Sequence, residues 1–387
     1  MNVQNTTSKS NPALSIIMPS LNVATYIQQC LDSVCNQTLC DIEILCVDAG
    51  STDGTGEILQ KYAEKDSRIK LIHSDQKSYG YQMNLGLQIA CGDYIGIVET
   101  DDYVDPDMFE QLYCLALSHD ADVVKSNYFC HTQGVDHFRG LFSGLPYEKT
   151  FCPKDHLSLF MRTPSIWSGI YNREFLKKHK ICFLETPGAS FQDTSFILKV
   201  WICAEKVCLT KTAYVHYRMD NPNSSVKSPD KMFFVRDEMT SVHSFLESLP
   251  DKKAQYQRII WDREADSYEW NYRRLADELK YEFLVGIQNR FQYGITYHCY
   301  EREHLRWPVR KMINEVAENP LIFLYGKINL DLFQEKLLSA PDNQLTIKKL
   351  KMLKIKGHIL QMAGILYDVF SMTKNYGFIY CIQQIKL

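Results

Sequence analysis

Three carboxylates crowd the end of an apolar run in the stretch YIGIVETDDY, residues 94–103. Glu99, Asp101 and Asp102 fall within four positions, and carboxylates this close repel one another. One interpretation is a turn, because Asp favours turns and Pro106 follows shortly afterwards. The other interpretation is a divalent cation, since hard cations such as Mg²⁺ take oxygen ligands and neutralise the repulsion.

Polar residues also follow two other apolar runs. Residues 19–22 (PSLN) follow LSIIMP at 14–19, and VDAGSTD at 47–53 follows IEILCV at 42–47. Because open α/β sheets bind ligands beyond the carboxyl ends of their strands, we expect the three polar segments to share one rim. Neither G-x-G-x-x-G nor G-x-x-x-x-G-K-[ST] follows the first run, which argues against a dinucleotide or triphosphate loop. Acids, hydroxyls and an amide suit a nucleoside diphosphate held through a bridging metal.

The elements that would position these residues alternate between two hydrophobic patterns. Stretches with apolar residues at helical spacing separate continuous apolar runs at 14–19, 42–47, 69–72, 94–98 and 121–129. Apolar strands separated by helices indicate βαβ units and a parallel sheet covered on both faces. The predicted fold class is therefore α/β, and a further helix is predicted from Gln192 to about Ala204.

The pattern becomes mainly helical beyond residue 228, which predicts three segments. These are a flexible tail at 1–12, an α/β domain at 13–229 and a helical C-terminal region at 230–387. Composition is that of an ordinary globular protein, with 45% hydrophobic and 23% charged residues. The net charge of −3 gives no support to nucleic-acid binding.

The 13 cysteines are scattered, and the absence of a C-x-x-C pair argues against a zinc site. We expect reduced thiols in a cytoplasmic protein. No run of 18 uncharged apolar residues occurs, so no transmembrane helix is predicted.

Four longer stretches carry a resemblance to a known family. SIIMPSLNVATYIQQCLDSVCNQTL, EILCVDAGSTDGT, NLGLQIACGDYIGIVETDDYVDPDMF and FQDTSF stand in the order found in family 2 glycosyltransferases, and bacterial surface-polysaccharide enzymes are the type suggested. The resemblance covers roughly residues 12–225. It implies the GT-A fold, a Rossmann-like, mostly parallel sheet flanked by helices. It also implies inverting transfer of a sugar from a nucleoside diphosphate, and it favours the metal interpretation of the carboxylate cluster.

The resemblance assigns roles to residues of this chain. It places Mn²⁺ or Mg²⁺ at Asp101 and Asp102. His216 is interpreted either as a third metal ligand or a diphosphate contact, since histidine suits both roles, or as a half-buried strand histidine. Asp193 matches the catalytic base. UDP-sugar is the implied donor, and its contacts are assigned to Pro19, Ser20, Asn22, Tyr26, Asp48, Ser51, Asp53, Lys77, Glu99 and Asp101. Asp53 has a second interpretation as a helix cap. Trp167 either stacks on the acceptor sugar or belongs to the core.

This sequence departs from the family pattern at several positions. Ala49 stands where a second acid usually contacts uracil, Glu99 where Asp is usual, Gln192 where Glu is more common, and Met83 where Arg is common. Lys77 is the suggested substitute for the missing positive charge.

The acceptor implied is a saccharide or a lipid-linked saccharide. The stretch at 347–370 combines lysines with apolar residues at helical spacing. It is interpreted either as a surface resting on anionic lipid at the inner membrane face or as a helix packed on the catalytic domain. Oligomeric state is not indicated. Two rival functions remain, a catalytically inactive nucleotide-sugar-binding module and, less favoured without a Gly-rich loop, a sugar nucleotidyltransferase.

Overall fold

The computed structural model describes residues 11–222 and 232–326. The chain divides into two compact units. Unit 1 comprises residues 1–156 and 162–225, and unit 2 comprises residues 157–161 and 226–387. Among the helices of the described residues, none combines the length and apolar character that crossing a membrane requires. The predicted segment boundary near residue 229 stays a prediction, and the stretch at 347–370 lies outside the described residues.

The described residues of unit 1 form a nine-stranded sheet. Its strands are β1 (Leu14–Ser20), β2 (Ile42–Asp48), β3 (Ile69–His73), β4 (Tyr94–Ile97), β5 (Tyr103–Val104), β6 (Val123–Thr132), β7 (Val135–Arg139), β8 (Gly169–Asn172) and β9 (Val207–Arg218). They lie in the order β3-β2-β1-β4-β8-β6-β9-β5, and β7 pairs with β6. The pairings give β1, β2, β3, β4, β6 and β9 one direction and β5, β7 and β8 the opposite one. The α/β prediction is confirmed.

Helices connect the strands of unit 1. They are α1 (Ile27–Cys35), α2 (Thr55–Ala63), α3 (Tyr79–Ile89), α4 (Met108–His119), α5 (Arg173–Lys178) and α6 (Gln192–Cys203). Every residue of β1 is buried, as are all residues of β2 except its last, because helices cover both faces of the sheet. Gly86 on α3 lets the helix approach β1 closely, since a Cβ there would lie 2.6 Å from the Ile17 side chain.

An antiparallel strand interrupts the parallel part of the sheet. The four-residue β8 lies between β4 and β6 and is antiparallel to both. Next to it, β6 pairs in parallel with β9, which continues to Arg218. These strands bring residues from the second half of unit 1 to the same rim as β1, β2 and β4.

Unit 2 is helical over its described residues. It contains α7 (Phe234–Glu247), α8 (Pro250–Arg274), α9 (Asp277–Thr296), α10 (Trp307–Glu318) and α11 (Pro320–Tyr325), together with the short 3-10 helix Leu157–Met161. Phe160 of that 3-10 helix packs against Tyr256 of α8 with ring centres 5.1 Å apart. The predicted mainly helical character of the C-terminal region is confirmed for its described residues, 232–326.

Candidate functional site

The carboxyl ends of β1, β2 and β4 meet at one rim. Ser20 and Asp48 are register partners at the ends of β1 and β2. The Gln82 amide on α3 donates hydrogen bonds to the carbonyls of Ser20 (2.9 Å) and Val47 (2.7 Å). Thr100, just after β4, donates its hydroxyl hydrogen to the Pro19 carbonyl at 2.8 Å. The structure therefore brings the three polar segments of the sequence together.

Asp48 uses both carboxylate oxygens to hold the turn that follows β2. Oδ1 accepts hydrogen bonds from the hydroxyls of Ser20 (3.1 Å) and Ser51 (2.5 Å). Oδ2 accepts from the backbone N–H groups of Gly50 (3.1 Å) and Ser51 (2.9 Å). Gly50 has a φ of +75°, a conformation that favours glycine. Asp48 thus fixes the shape of the loop at the rim.

The turn after β1 is fastened to the same loop. The Asn22 N–H donates to the Ser51 hydroxyl, and the Asn22 side-chain oxygen accepts from the Thr52 N–H, both at 2.9 Å. The Asp53 carboxylate accepts from the N–H groups of Ala24 (2.9 Å) and Thr55 (3.1 Å) and from the Thr55 hydroxyl. Burial would raise the pKa of Asp53, but these hydrogen bonds outweigh it and hold the pKa below its usual value. Asp53 therefore orders the start of α2 and joins the two loops.

Asp102 is the buried member of the acidic segment, with 2% of its surface exposed. Its Oδ1 accepts the backbone N–H of Arg218 at 2.8 Å, whereas its buried Oδ2 has no hydrogen-bond partner in the structure. Burial and the charge of Asp101 raise the pKa of Asp102 well above its usual value. Asp101 accepts from the Asn221 amide at 2.8 Å. A divalent cation fits this pair, because it supplies a partner for the orphaned oxygen and offsets the repulsion.

Glu99 begins the same segment, is partly buried and is held by a tyrosine. The Tyr79 hydroxyl donates to Glu99 Oε1 at 2.6 Å. Burial, together with the charges of Asp101 and Asp193, raises the pKa of Glu99 to about 8, although the Tyr79 hydrogen bond acts in the opposite direction. At neutral pH without a cation, Glu99 therefore carries a proton for most of the time.

Asp193 lies in the first turn of α6, where the predicted helix begins. Its Oδ1 accepts the backbone N–H of Thr194 at 2.7 Å. Its charge contributes to the raised pKa values of Glu99, Tyr79 and Tyr217, so the structure places it beside the acidic segment. The helix N-terminus favours its ionised form.

His216 lies in a different cluster from Asp101 and Asp102. Its Nε2 is 3.1 Å from Asp105 Oδ1, and its Nδ1 is 2.9 Å from Asp136 Oδ2. In the described part of the chain, the group of three potential metal ligands whose ligand atoms all lie within 4.8 Å of one another is His131, Asp136 and His216. His216 lies on β9, and its assignment as a third ligand of the ion at Asp101 and Asp102 stays a prediction. The sequence could not show the neighbours of His216, because the contacts of a strand residue depend on sheet register.

Trp167 stacks on Tyr217, the residue after His216. The two rings are 5.1 Å apart and inclined by 6°, and the Tyr128 ring meets Trp167 edge-on at 4.8 Å. Trp167 is 8% exposed. Burial and the charges of Asp102 and Asp101 raise the pKa of Tyr217. This stack therefore forms an aromatic wall next to the carboxylates.

The positions that depart from the family pattern differ in burial. Ala49 is 3% exposed and Met83 is fully buried, and neither side chain offers a polar contact at the rim. Lys77 is exposed, and its carbonyl accepts the Gly188 N–H at 2.8 Å.

Arg218 is a residue that reasoning from the sequence missed. Its side chain donates to the Asp101 carbonyl (2.9 Å) and to Gln29 (2.8 Å), and its guanidinium carbon lies 4.9 Å from the centre of the Tyr26 ring. Its place two residues after His216 in YVHYR was the available signal. Tyr79, Tyr217 and Asn221 were missed as well, since their contacts join distant parts of the chain.

The fold and the rim together define an α/β protein of the GT-A class. The family model described as Glycosyl transferase family 2 matches residues 15–179. Over these residues the chain is similar to glycosyltransferase family 2.

Two relatives come from Bacillus subtilis (strain 168). The chain is 30% identical to the putative glycosyltransferase EpsH over 227 residues, 57% of this chain and 65% of that protein. It is 32% identical to the uncharacterized glycosyltransferase EpsJ over 226 residues, 57% of this chain and 64% of that protein. The match thus spans slightly less than two thirds of each relative.

Solved structures of S. aureus TarS share the fold. TarS 1-349, crystallised in complex with UDP-GlcNAc, superposes with a TM-score of 0.62 at 19% identity, covering 82% of this chain and 91% of that one.

Proposed function

We propose that this chain is an inverting glycosyltransferase that moves a sugar from a UDP-sugar to a hydroxyl of a saccharide acceptor. The observation that carries the proposal is the buried, unpartnered Oδ2 of Asp102 beside Asp101, with Asp193 across the same rim. The neighbouring TarS structures, one with UDP and one with UDP-GlcNAc, support a uridine nucleotide.

Asp101 and Asp102 would hold Mn²⁺ or Mg²⁺. When bound, such an ion supplies positive charge for the diphosphate leaving group. Asp102 presents its Oδ2 while its Oδ1 stays on the Arg218 N–H, so the carboxylate keeps one fixed orientation. Asn221 orients Asp101 in the same way.

The donor nucleotide would lie against the loops after β1 and β2. Asn22, Ser51 and Asp53 join these loops, and Tyr26 is stacked under the Arg218 guanidinium. The preformed rim reduces the ordering cost of nucleotide binding. Pro19, Ser20, Asp48, Lys77 and Glu99 complete the assigned donor contacts.

Asp193 would take the proton from the acceptor hydroxyl in a single displacement that inverts the anomeric carbon. A positioned carboxylate serves as a general base when it is ionised and points at the attacking hydroxyl. The start of α6 favours that ionised form. Trp167 and Tyr217 would form the wall against which the acceptor packs. A lipid-linked acceptor would place the reaction at the inner membrane face.

Release of free nucleoside diphosphate from a panel of nucleotide sugars tests the proposal. We expect UDP release from a UDP-sugar, faster when a saccharide acceptor is present. Failure of every donor, with UDP still bound in calorimetry, would favour the inactive binding module. Release of pyrophosphate from UTP and a sugar phosphate would favour the nucleotidyltransferase.

A further inference from the structure

Two histidines and one aspartate from three neighbouring strands meet at a second cluster, which we call the His–Asp–His cluster. His131 lies on β6, Asp136 on β7 and His216 on β9, and β6 pairs with both other strands. The ligand atoms of these three side chains all lie within 4.8 Å of one another. The proposed reaction uses none of them.

Asp136 faces both imidazoles. Its Oδ1 is 2.8 Å from His131 Nδ1, and its Oδ2 is 2.9 Å from His216 Nδ1. The remaining nitrogen of His216, Nε2, lies 3.1 Å from Asp105 Oδ1. Among the described residues the buried Nδ1 of His216 has no hydrogen-bond partner, although Asp136 Oδ2 lies close to it. A cation on Nδ1 would supply that partner and leave the Nε2 hydrogen for Asp105.

A carboxylate behind the second ring nitrogen is the usual way in which a metal-binding histidine is oriented. Aromatic neighbours fix the ring as well. His216 stacks on Tyr103 with ring centres 4.3 Å apart and an inclination of 6°, and Phe129 lies 5.1 Å away on a nearly parallel plane. The His216 and His131 side chains are only 11% and 13% exposed, whereas Asp136 is 33% exposed. The cluster is therefore rigid, with access from the Asp136 side.

We propose that His131, Asp136 and His216 bind a zinc-like transition-metal ion. Two imidazoles and a carboxylate, with one position left for water or another ligand, form a common zinc donor set. Mg²⁺ and Ca²⁺ favour all-oxygen sites, so this site differs in preference from Asp101 and Asp102. Tetrahedral zinc with bonds of about 2.1 Å separates its ligand atoms by about 3.4 Å, so the observed contacts need to open by about 0.5 Å. Cysteine spacing argued against zinc in the sequence, but the donors here are histidines.

The ion would fasten the β6–β7 hairpin to β9. The residues of β9 that follow His216 are Tyr217 and Arg218, which contact Trp167 and the acidic segment. The ion at the His–Asp–His cluster would therefore have a structural role, which is separate from binding the donor.

Co²⁺ titration of the metal-stripped full chain in excess Mg²⁺ tests the proposal, since Mg²⁺ occupies all-oxygen sites but competes weakly for imidazole. We expect visible d–d absorption with one Co²⁺ per chain, lost when Zn²⁺ is added. His131→Gln and Asp136→Asn should weaken binding by at least about 100-fold, and Asp105→Asn by about 10–100-fold. His137→Gln, an exposed histidine on β7, is the matched control and should bind as the wild type does.

Circular dichroism and the melting temperature establish that each variant is folded. Folded wild-type protein that binds no Co²⁺ would overturn the proposal. Equal affinity in His131→Gln, Asp105→Asn and wild type would also overturn it. Neither outcome depends on sugar transfer, so this test is independent of the proposed function.

Discussion

At the scale of single residues, Asp102 and Asp193 are prepared for different chemistry by their surroundings. Asp102 is buried, and one of its oxygens has no hydrogen-bond partner in the structure. Asp193 lies at a helix start, where the Thr194 N–H and the helix dipole favour its charge. The first environment fits a cation, and the second fits the role of general base proposed for Asp193.

Asp193→Asn should reduce transfer to the acceptor by about 10²–10⁴, because the amide cannot take a proton at neutral pH. Asn still accepts the Thr194 N–H hydrogen bond, so the melting temperature and UDP affinity should stay near wild type. Initial rates with donor and acceptor, measured beside UDP calorimetry, check this. Nearly full activity would mean that Asp193 acts only at the helix start.

The raised pKa of Glu99 predicts that the stability of the metal-free protein depends on pH. Its pKa of about 8 in the folded protein lies above the usual value, so the folded state binds more protons than the unfolded state between the two values. Stability should therefore fall as pH rises through this window, and Glu99→Gln should abolish that loss. The Gln oxygen can still accept the Tyr79 hydroxyl.

The melting temperatures of wild type and Glu99→Gln, measured in chelator at about pH 5 and about pH 8, test this pH dependence of stability. The advantage of Glu99→Gln over wild type should grow with pH. A difference that stays constant across the range would show that Glu99 is ionised throughout.

At the scale of elements, the rim depends on two loops that hold each other. Ser51 links them, because its hydroxyl donates to Asp48 and accepts the Asn22 N–H. Ser51→Ala removes both hydrogen bonds, each contributing about 1 kcal/mol, so UDP affinity should fall by about five- to thirty-fold. Calorimetry compares it with Ser118→Ala, an exposed helix serine away from the rim. Equal UDP affinity in the two variants would contradict the role given to these loops.

A buried glutamate joins three helices of unit 2. Glu264 on α8 accepts hydrogen bonds from His243 on α7 and Arg290 on α9, and also from Tyr268. Burial would raise the pKa of Glu264, but the hydrogen bond and charge of His243 and the charge of Arg290 keep it below its usual value.

Arg290→Met should therefore destabilise the protein by about 2 kcal/mol, since it removes a charged hydrogen-bond donor from a buried carboxylate. Arg258→Met, at an exposed position on the same bundle, is the control. Urea denaturation curves of both variants provide the measurement. Equal midpoints would show that Glu264 does not need Arg290.

Local hydrophobic patterns predicted the helices that are buried along one side and the strands that are buried on both faces. The apolar run at 14–19 became β1, and the helix predicted from Gln192 to about Ala204 ends at Cys203. The β6–β7 hairpin was missed because its turn is Gln133-Gly134, and Gln is a weak signal for a turn in which both residues have positive φ. The buried four-residue β8 was missed because its run is too short to show a period.

The part of the site that lies in short continuous motifs could be predicted from the sequence. Residues after β1, β2 and β4 converge because parallel strands end at one edge. The partners of His216 and the contacts of Arg218 could not be read in this way, because they depend on the pairing of β9 with β5 and β6. Because successive side chains of a strand point to opposite faces of the sheet, His216 and Tyr217 are expected to have different neighbours. This alternation does not show which residues those neighbours are.

At the scale of the whole molecule, the polar groups of the two units have different structural roles. In unit 1 the polar residues at the rim hold loops, and one buried carboxylate oxygen has no hydrogen-bond partner among the described residues. In unit 2 the charged cluster around Glu264 joins helices to one another. We therefore expect donor chemistry to depend on the acidic segment of unit 1.

The most direct test of the central claim is the dependence of UDP release on Mn²⁺ in wild type and in Asp102→Asn. The amide keeps the size of the side chain and its bond to the Arg218 N–H, but its second polar atom no longer carries negative charge. We predict that chelator stops UDP release by wild type, that Mn²⁺ restores it, and that folded Asp102→Asn stays at least about 100-fold slower at any Mn²⁺ concentration. Full UDP release by Asp102→Asn, or by wild type in chelator, would contradict the account.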